Sequence, residues 1–307
     1  MTRTPLFIAA GMLASALTSS WSLLAQAQGP VVWAPKPARL PGYTAPQRPH
    51  IKLADLKARH AKDSSWRELL VDDGYLQAEY IADASGTRVP KRLHPDTRAW
   101  WVVVEGQMRV EIEGQQPFVA TKGSVVQVPK QTPYTMETTG DAPSLRFAVN
   151  VSGAKTLYPS ESAQPPAMPG FTWVSVRLGN PNRGAYDSLN RPHQNLFEAA
   201  KAANYTGSPA IRDDRLQANL IYGYEKNLPA LTPTDKGHYH PDSPEFWLVM
   251  AGQIRYALEG QPVFVADAGD VAYVPMGTFH LARFHGAGPS CRLAITRFTN
   301  NTQLIEP

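Results

Sequence analysis

The chain has 307 residues, 43% of them hydrophobic, 18% charged and 9% aromatic. This is a globular composition that excludes wholesale disorder and a coiled coil. Thirty Lys and Arg against 26 Asp and Glu leave a net charge of +4, and with no Lys/Arg cluster a nucleic-acid partner has no support. A single cysteine, Cys291, excludes an intrachain disulfide and a Cys-rich zinc site, while 28 prolines and 22 glycines point to many turns and to β structure.

In chain order, the first segment reads as an export signal. Arg3 precedes the apolar run from Pro5 to Leu17, and Ala25-Gln26-Ala27 fits a signal-peptidase site. Thr18, Ser19, Ser20 and Ser22 dilute the run, which argues against a retained anchor. The expectation is a signal peptide over 1–27, a secreted or periplasmic protein, and no membrane association after cleavage. Residues 28–65 form a Pro-rich arm, with a short helix expected between Ile51 and Ala61.

From here the chain repeats itself. His94-Pro95-Asp96 returns as His240-Pro241-Asp242, an offset of 146 residues. Trp101, Gly106-Gln107, Glu113-Gly114-Gln115, Phe118-Val119-Ala120, Gly123, Pro129 and Arg146 all return at the same offset. About two positions in five are identical over 94–148 without a gap, which means one structural unit used twice. Within each unit, strands of four to six residues are punctuated by Gly and Pro, the pattern of a sandwich or jelly roll. The divisions are 66–151 for the first unit, 152–210 for a connector with one helix expected over Leu196–Ala203, and 211–307 for the second unit.

The second unit carries His238-x-His240-x4-Glu245-x6-Gly252 and then Gly269-x5-Pro275-x-Gly277-x2-His280. Residues two apart on a strand face one side, so His238 and His240 project together. The turn at Pro241–Pro244 folds Glu245 back beside them, and a second turn at Pro275–Thr278 delivers His280. Three imidazoles and a carboxylate suit a borderline divalent transition ion and leave two positions open on a six-coordinate ion. Fe or Mn comes first, with Zn, Ni, Cu and Co also accepted.

These residues resemble the two motifs of the cupin family. His238, His240, Glu245, Gly252, Gly269, Pro275, Gly277 and His280 match position by position, while Thr232 replaces the opening Gly and Phe284 the closing Asn. The resemblance implies an all-β fold of tandem jelly-roll barrels (a bicupin) with a short helical connector, and it implies that His238, His240, Glu245 and His280 bind the metal. It does not fix the reaction, because cupins include decarboxylases, dioxygenases, isomerases, lyases and non-enzymatic binders.

The first unit places Arg92, His94, Ala99 and Tyr134 where the second has its quartet. No metal is expected there. Its bland role is to buttress the second barrel; the alternative is a pocket in which Arg92, His94 and Tyr134 bind an organic anion. Around the metal, strand alternation nominates Tyr222, Tyr224 and Tyr273 as substrate-binding residues, and no catalytic residue is identified beyond the ligands. Trp247 and Arg255 recur as Trp101 and Arg109 beside the metal-free positions, so both read as scaffold. The functional expectation is an exported metalloenzyme of dioxygenase, decarboxylase or lyase type acting on a small oxygenated molecule. The alternative is a non-catalytic periplasmic protein that binds metal or a small ligand. Oligomeric state is open, a homo-oligomer included, although the tandem copies can already pair as separate subunits do.

Overall fold

The computed structural model describes residues 30–161, 165–202, 206–232, 234–297 and 302–305. The expected signal peptide lies outside them, as does Ala203 at the end of the expected helix. Residues 31–33 carry exposed apolar side chains. Among the described residues no helix is long and apolar enough to cross a membrane.

Four antiparallel sheets make two barrels. The first barrel joins a six-stranded sheet to a four-stranded one. The large sheet runs His193–Asn195, Ser124–Val128, Ala99–Glu105, Ser144–Val151, Leu76–Asp83, Trp66–Asp72, and the small one Arg88–Arg92, Tyr134–Thr138, Gln107–Ile112, Phe118–Thr121. In the second barrel the large sheet runs His50–Ile51, Val271–Val274, Glu245–Ala251, Pro289–Arg297, Leu216–Tyr224, Thr206–Arg212. Its small sheet runs Phe264–Asp267, Gln253–Leu258, His280–His285, His238–Tyr239, Leu304–Ile305. The second barrel therefore begins inside the segment assigned to the connector, at Thr206.

The central strands are apolar on both faces because both faces are buried. Along Ala99–Glu105, Trp100 and Val102 face a core shared by the two large sheets, whereas Trp101 and Val103 face the interior of the first barrel. Along Glu245–Ala251, Phe246 and Leu248 join the shared core and Trp247 and Val249 fill the second barrel. The barrels thus pack large sheet against large sheet, as in a sandwich. Tyr80 ties the two by donating its hydroxyl hydrogen to the Gly269 carbonyl at 2.5 Å.

The arm and the connector complete the opposite barrels. His50–Ile51, which precedes the first barrel, pairs with Val271–Val274 of the second. His193–Asn195, which precedes the second barrel, pairs with Ser124–Val128 of the first. Each strand runs into a short helix, Leu53–Arg59 and Leu196–Ala202 respectively. Leu53 and Phe197 lie directly over Gly269 and Gly123, where a Cβ would stand 2.4 and 2.3 Å from the side chain above. That close approach is why both turns use glycine.

Candidate metal centre

Each of the four predicted ligands is delivered by a different local device. His238 sits on a two-residue strand directly opposite His280, the cross-strand position at which side chains meet. Gly237 makes that approach available: a Cβ there would lie 2.1 Å from the His280 carbonyl oxygen. His240 follows the strand, and its carbonyl accepts from the Gly277 N–H at 2.7 Å, pinning the turn that leads to His280. Glu245 opens the strand after the Pro241–Pro244 turn and lies between Val274 and Thr296.

The four side chains converge, with one ligand atom from each lying within 4.8 Å of the others. Glu245 Oε2 is 2.9 Å from His280 Nε2, 3.0 Å from His240 Nε2 and 4.0 Å from His238 Nε2. The Nε2 atoms of His238 and His280 are 3.1 Å apart. The tautomers follow from the outer contacts. His240 Nδ1 is 3.0 Å from the Thr302 carbonyl and His280 Nδ1 is 3.0 Å from the Thr278 carbonyl. A carbonyl only accepts, so both Nδ1 atoms carry hydrogen and both Nε2 lone pairs face the centre.

Protonation fits the same reading. Burial alone would push the Glu245 carboxyl up, but His240 and His280 hold it well below the ordinary range. Burial, aided by His280, pushes the His238 imidazole down to about 4. Burial pulls the His240 imidazole down, but the Glu245 carboxylate outweighs it and raises it, so a cation entering the centre displaces a proton from His240 Nε2. An ionised carboxylate among imidazole lone pairs, out of reach of bulk water, is the donor set a divalent cation satisfies. His240, Glu245 and His280 are buried, and His238 is the ligand with partial access to solvent.

The interior around the quartet is apolar with a few polar groups. The Trp247 ring lies 5.3 Å from His280 and 5.2 Å from Tyr256. Tyr256 Oη, Thr278 Oγ1, Thr296 Oγ1 and Arg292 Nε are buried without a hydrogen-bond partner. Arg292 is the residue that motif reading missed. It shares the inward face of Pro289–Arg297 with Ala294 and Thr296, and its charge helps depress His238. In the first barrel the equivalent Arg146 is paired with Asp83. Strand register puts Gly223 at the place of Asp83, and the Phe284 ring fills the space above that glycine. Arg292 stacks on this ring, 5.5 Å from its centroid, and among the described residues no carboxylate pairs with it. The return of Arg146 as Arg292 was visible in the repeat, but the loss of the Asp83 counterpart was not, because the offset before His94 is 140 rather than 146.

The three nominated tyrosines are on the wrong face. Parity with Pro275 would turn Tyr273 inward, but the strand ends at Val274 and that proline already belongs to the turn. On the strand itself Ala272 and Val274 face the barrel interior and Tyr273 packs in the shared core, opposite Phe246. Tyr222 packs against the same shared core, since Ile221 is the inward residue, and Tyr224 meets Tyr222 edge-on at 6.0 Å. None of the three lies beside the quartet. Arg255 is flanked by the inward Ile254 and Tyr256 and so points outward.

The first barrel carries Arg92, His94, Ala99 and Tyr134 at the four equivalent positions, and Tyr134 and His94 bond to each other at 3.1 Å. The remaining histidines stand outside the quartet: His50 bonds Asp270, His60 bonds Asp63 and Glu68, His193 bonds Ser124, and His285 Nδ1 lies 3.5 Å from Glu225 Oε1 without a hydrogen bond.

The family described as cupin domain matches residues 80–151 and again 227–296. Among solved structures, the cupin 2 conserved barrel domain protein from Leptotrichia buccalis is similar over 76% of this chain and 89% of its own, at 11% identity and a TM-score of 0.52. Oxalate decarboxylase from Bacillus subtilis, in its structure at pH 4.6, aligns over 88% of this chain and 80% of its own, at 14% identity and a TM-score of 0.49. No curated protein matches the chain. With two matched regions on two barrels, and a His/Glu quartet in the C-terminal one, the chain is a bicupin.

Proposed function

We propose that this bicupin is an exported metalloenzyme whose second barrel acts on a small, anionic, oxygenated organic molecule. The observation that carries the reading is the presence beside the quartet of Arg292, a partly buried guanidinium whose Nε is buried without a partner and which faces the same interior. Its first-barrel equivalent is neutralised by a carboxylate of the chain; Arg292 leaves that role to a ligand.

His238, His240, Glu245 and His280 would hold the ion, with Fe(II) or Mn(II) the first choices for this donor set. The bound metal would supply Lewis acidity and open positions for a carboxylate, enolate or catechol-type oxygen. The chain supplies the rest. The Thr302 and Thr278 carbonyls orient two imidazoles, Arg292 orients the substrate anion, and Trp247 forms an apolar wall that excludes water. Dioxygenase, decarboxylase and lyase chemistry all begin from this arrangement. The Ala25-Gln26-Ala27 site after an apolar run supports export.

Metal analysis tests the first half: about one ion per chain, abolished by His240→Ala. Oxygen uptake and carbon dioxide release across small acids and phenols test the second. Turnover lost in Arg292→Gln with metal content intact supports the assignment. A metal-loaded protein inert to the whole set would instead be a non-catalytic binder.

A further inference from the structure

The first barrel lacks the quartet but has kept a cavity of about 470 Å³, inside the roughly 300–1,000 Å³ range of small-molecule pockets. Its charged and polar lining includes Arg67, Glu79, Arg92, His94, Tyr134 and Arg146, and its apolar wall includes Trp101, Val89 and Met136. A barrel that served only as a buttress would fill this space with side chains, as the shared core does.

The charges do not cancel. Arg67 pairs with Glu79 at 2.7 Å, and Arg146 pairs with Asp83. Among the described residues Arg92 has no carboxylate partner. Its Nε donates to the Pro90 carbonyl at 3.1 Å and its guanidinium lies over the Tyr158 ring, 5.7 Å from the centroid, which leaves its terminal nitrogens as donors.

The neighbouring groups are arranged not to compete with it. His94 Nδ1–H donates to the Lys155 carbonyl at 2.9 Å, so its Nε2 accepts the Tyr134 hydroxyl hydrogen at 3.1 Å. Burial, with the charge of Arg92 nearby, holds the His94 imidazole below its ordinary value, which keeps it neutral. Tyr134 stands directly across the strand pair from Arg92 with its hydrogen already committed. Donation to an anion at this spot therefore falls to Arg92.

We propose that the first barrel is a second, metal-independent binding site, specific for a small organic carboxylate with an apolar body. The carboxylate pairs with Arg92 at the position His238 takes in the other barrel, and the body lies against Trp101 and Met136. The site stands on its own and does not depend on the metal chemistry of the second barrel.

The test uses the full metal-loaded chain and two probes, benzoate and phenylacetate, followed by calorimetry and by tryptophan fluorescence, to which Trp101 on the cavity wall responds. Saturable binding is expected. Arg92→Gln should weaken it by about tenfold or more, since a charge-assisted pair is replaced by a neutral one. Arg92→Lys keeps the charge without the planar fork, so it should fall between wild type and Arg92→Gln; it carries the test alone if the glutamine variant does not fold. Failure of either probe to saturate by about 10 mM in the wild type overturns the proposal. So does loss of binding in Arg292→Gln with none in the Arg92 variants, which would move the ligand to the second barrel. Sulfate displacing the probes at equal concentration would also overturn it, because the site would then take any anion.

Discussion

His50 and His193 are structural equivalents on opposite barrels, although they precede the barrels they do not complete. His50 stacks on Phe264 at 4.5 Å and His193 on Phe118 at 4.7 Å, two phenylalanines 146 positions apart. His50 bonds Asp270 at 2.7 Å and His193 bonds Ser124 at 3.0 Å, again 146 positions apart. Their strands pair with equivalent residues, Ala272 and Val126. The exchange is reciprocal and gives the two barrels the self-complementary contact of a two-fold dimer within one chain.

The chemistry of the two anchors predicts unequal costs. Asp270 is a buried carboxylate that accepts from Leu53 N–H at 2.9 Å, from Asp267 N–H at 3.0 Å and from His50. Asp270→Ala should cost about 3 kcal/mol in denaturant unfolding, because it strands three donors. Ser124 is neutral and holds only Thr121 N–H and His193, so Ser124→Ala should cost about 1 kcal/mol. Equal losses would show that the Asp270 charge adds nothing.

Gly237 predicts a way to remove the metal without touching a ligand. Its φ of 75° already disfavours any side chain, and the His280 carbonyl occupies the place of a Cβ. Gly237→Ala should push the His238 strand away from His280. The expected readout is a loss of about tenfold or more in metal affinity, with the barrel still folded by circular dichroism. Retained affinity would mean that His238 is not held by this contact.

Local pattern carries the quartet and the repeat, but not the pairing of distant strands. The quartet was legible because four ligand types fell at strand and turn spacings, and the repeat fixed the register of both barrels. The helix at Leu196–Ala202 was legible from its local sequence. The strand exchange was not. Pro49-His50 and Leu53 reappear as Pro192-His193 and Leu196, an offset of 143 that breaks from 146 and shares too few residues to see. Tyr273 failed because strand parity was counted from the turn residue Pro275, and one step of register turns a side chain to the opposite face; for Tyr222 and Tyr224 nothing local told the inward face of their strand from the outward one. Long-range pairing and the exact strand edge are tertiary facts, and local pattern does not carry them.

Cys291 predicts an inert thiol. It is fully buried in the shared core, and burial pushes its pKa up to about 12. The thiolate fraction at neutral pH is therefore negligible. A disulfide reagent should label no sulfur in the native protein and about one per chain in guanidinium. Rapid native labelling would mean that the two large sheets separate easily.

The first barrel is a template for neutralising Arg292 in the second. Asp83 neutralises Arg146, while Gly223 and Phe284 leave Arg292 without a carboxylate. The position of Phe284 in the first barrel is Thr138, whose hydroxyl bonds Ser144 at 2.7 Å. Gly223→Asp with Phe284→Thr would rebuild the first-barrel arrangement, with Ser290 standing ready as the counterpart of Ser144. Phe284→Thr opens the space that a side chain at 223 requires, so the pair is compatible where Gly223→Asp alone would clash. The double variant should keep about one metal ion per chain, because the quartet is untouched. Its affinity for an anionic substrate at the second barrel should fall by about tenfold or more, since Arg292 would then be paired within the chain. Unchanged turnover in that variant would remove Arg292 from substrate binding and leave the metal alone to hold the anion.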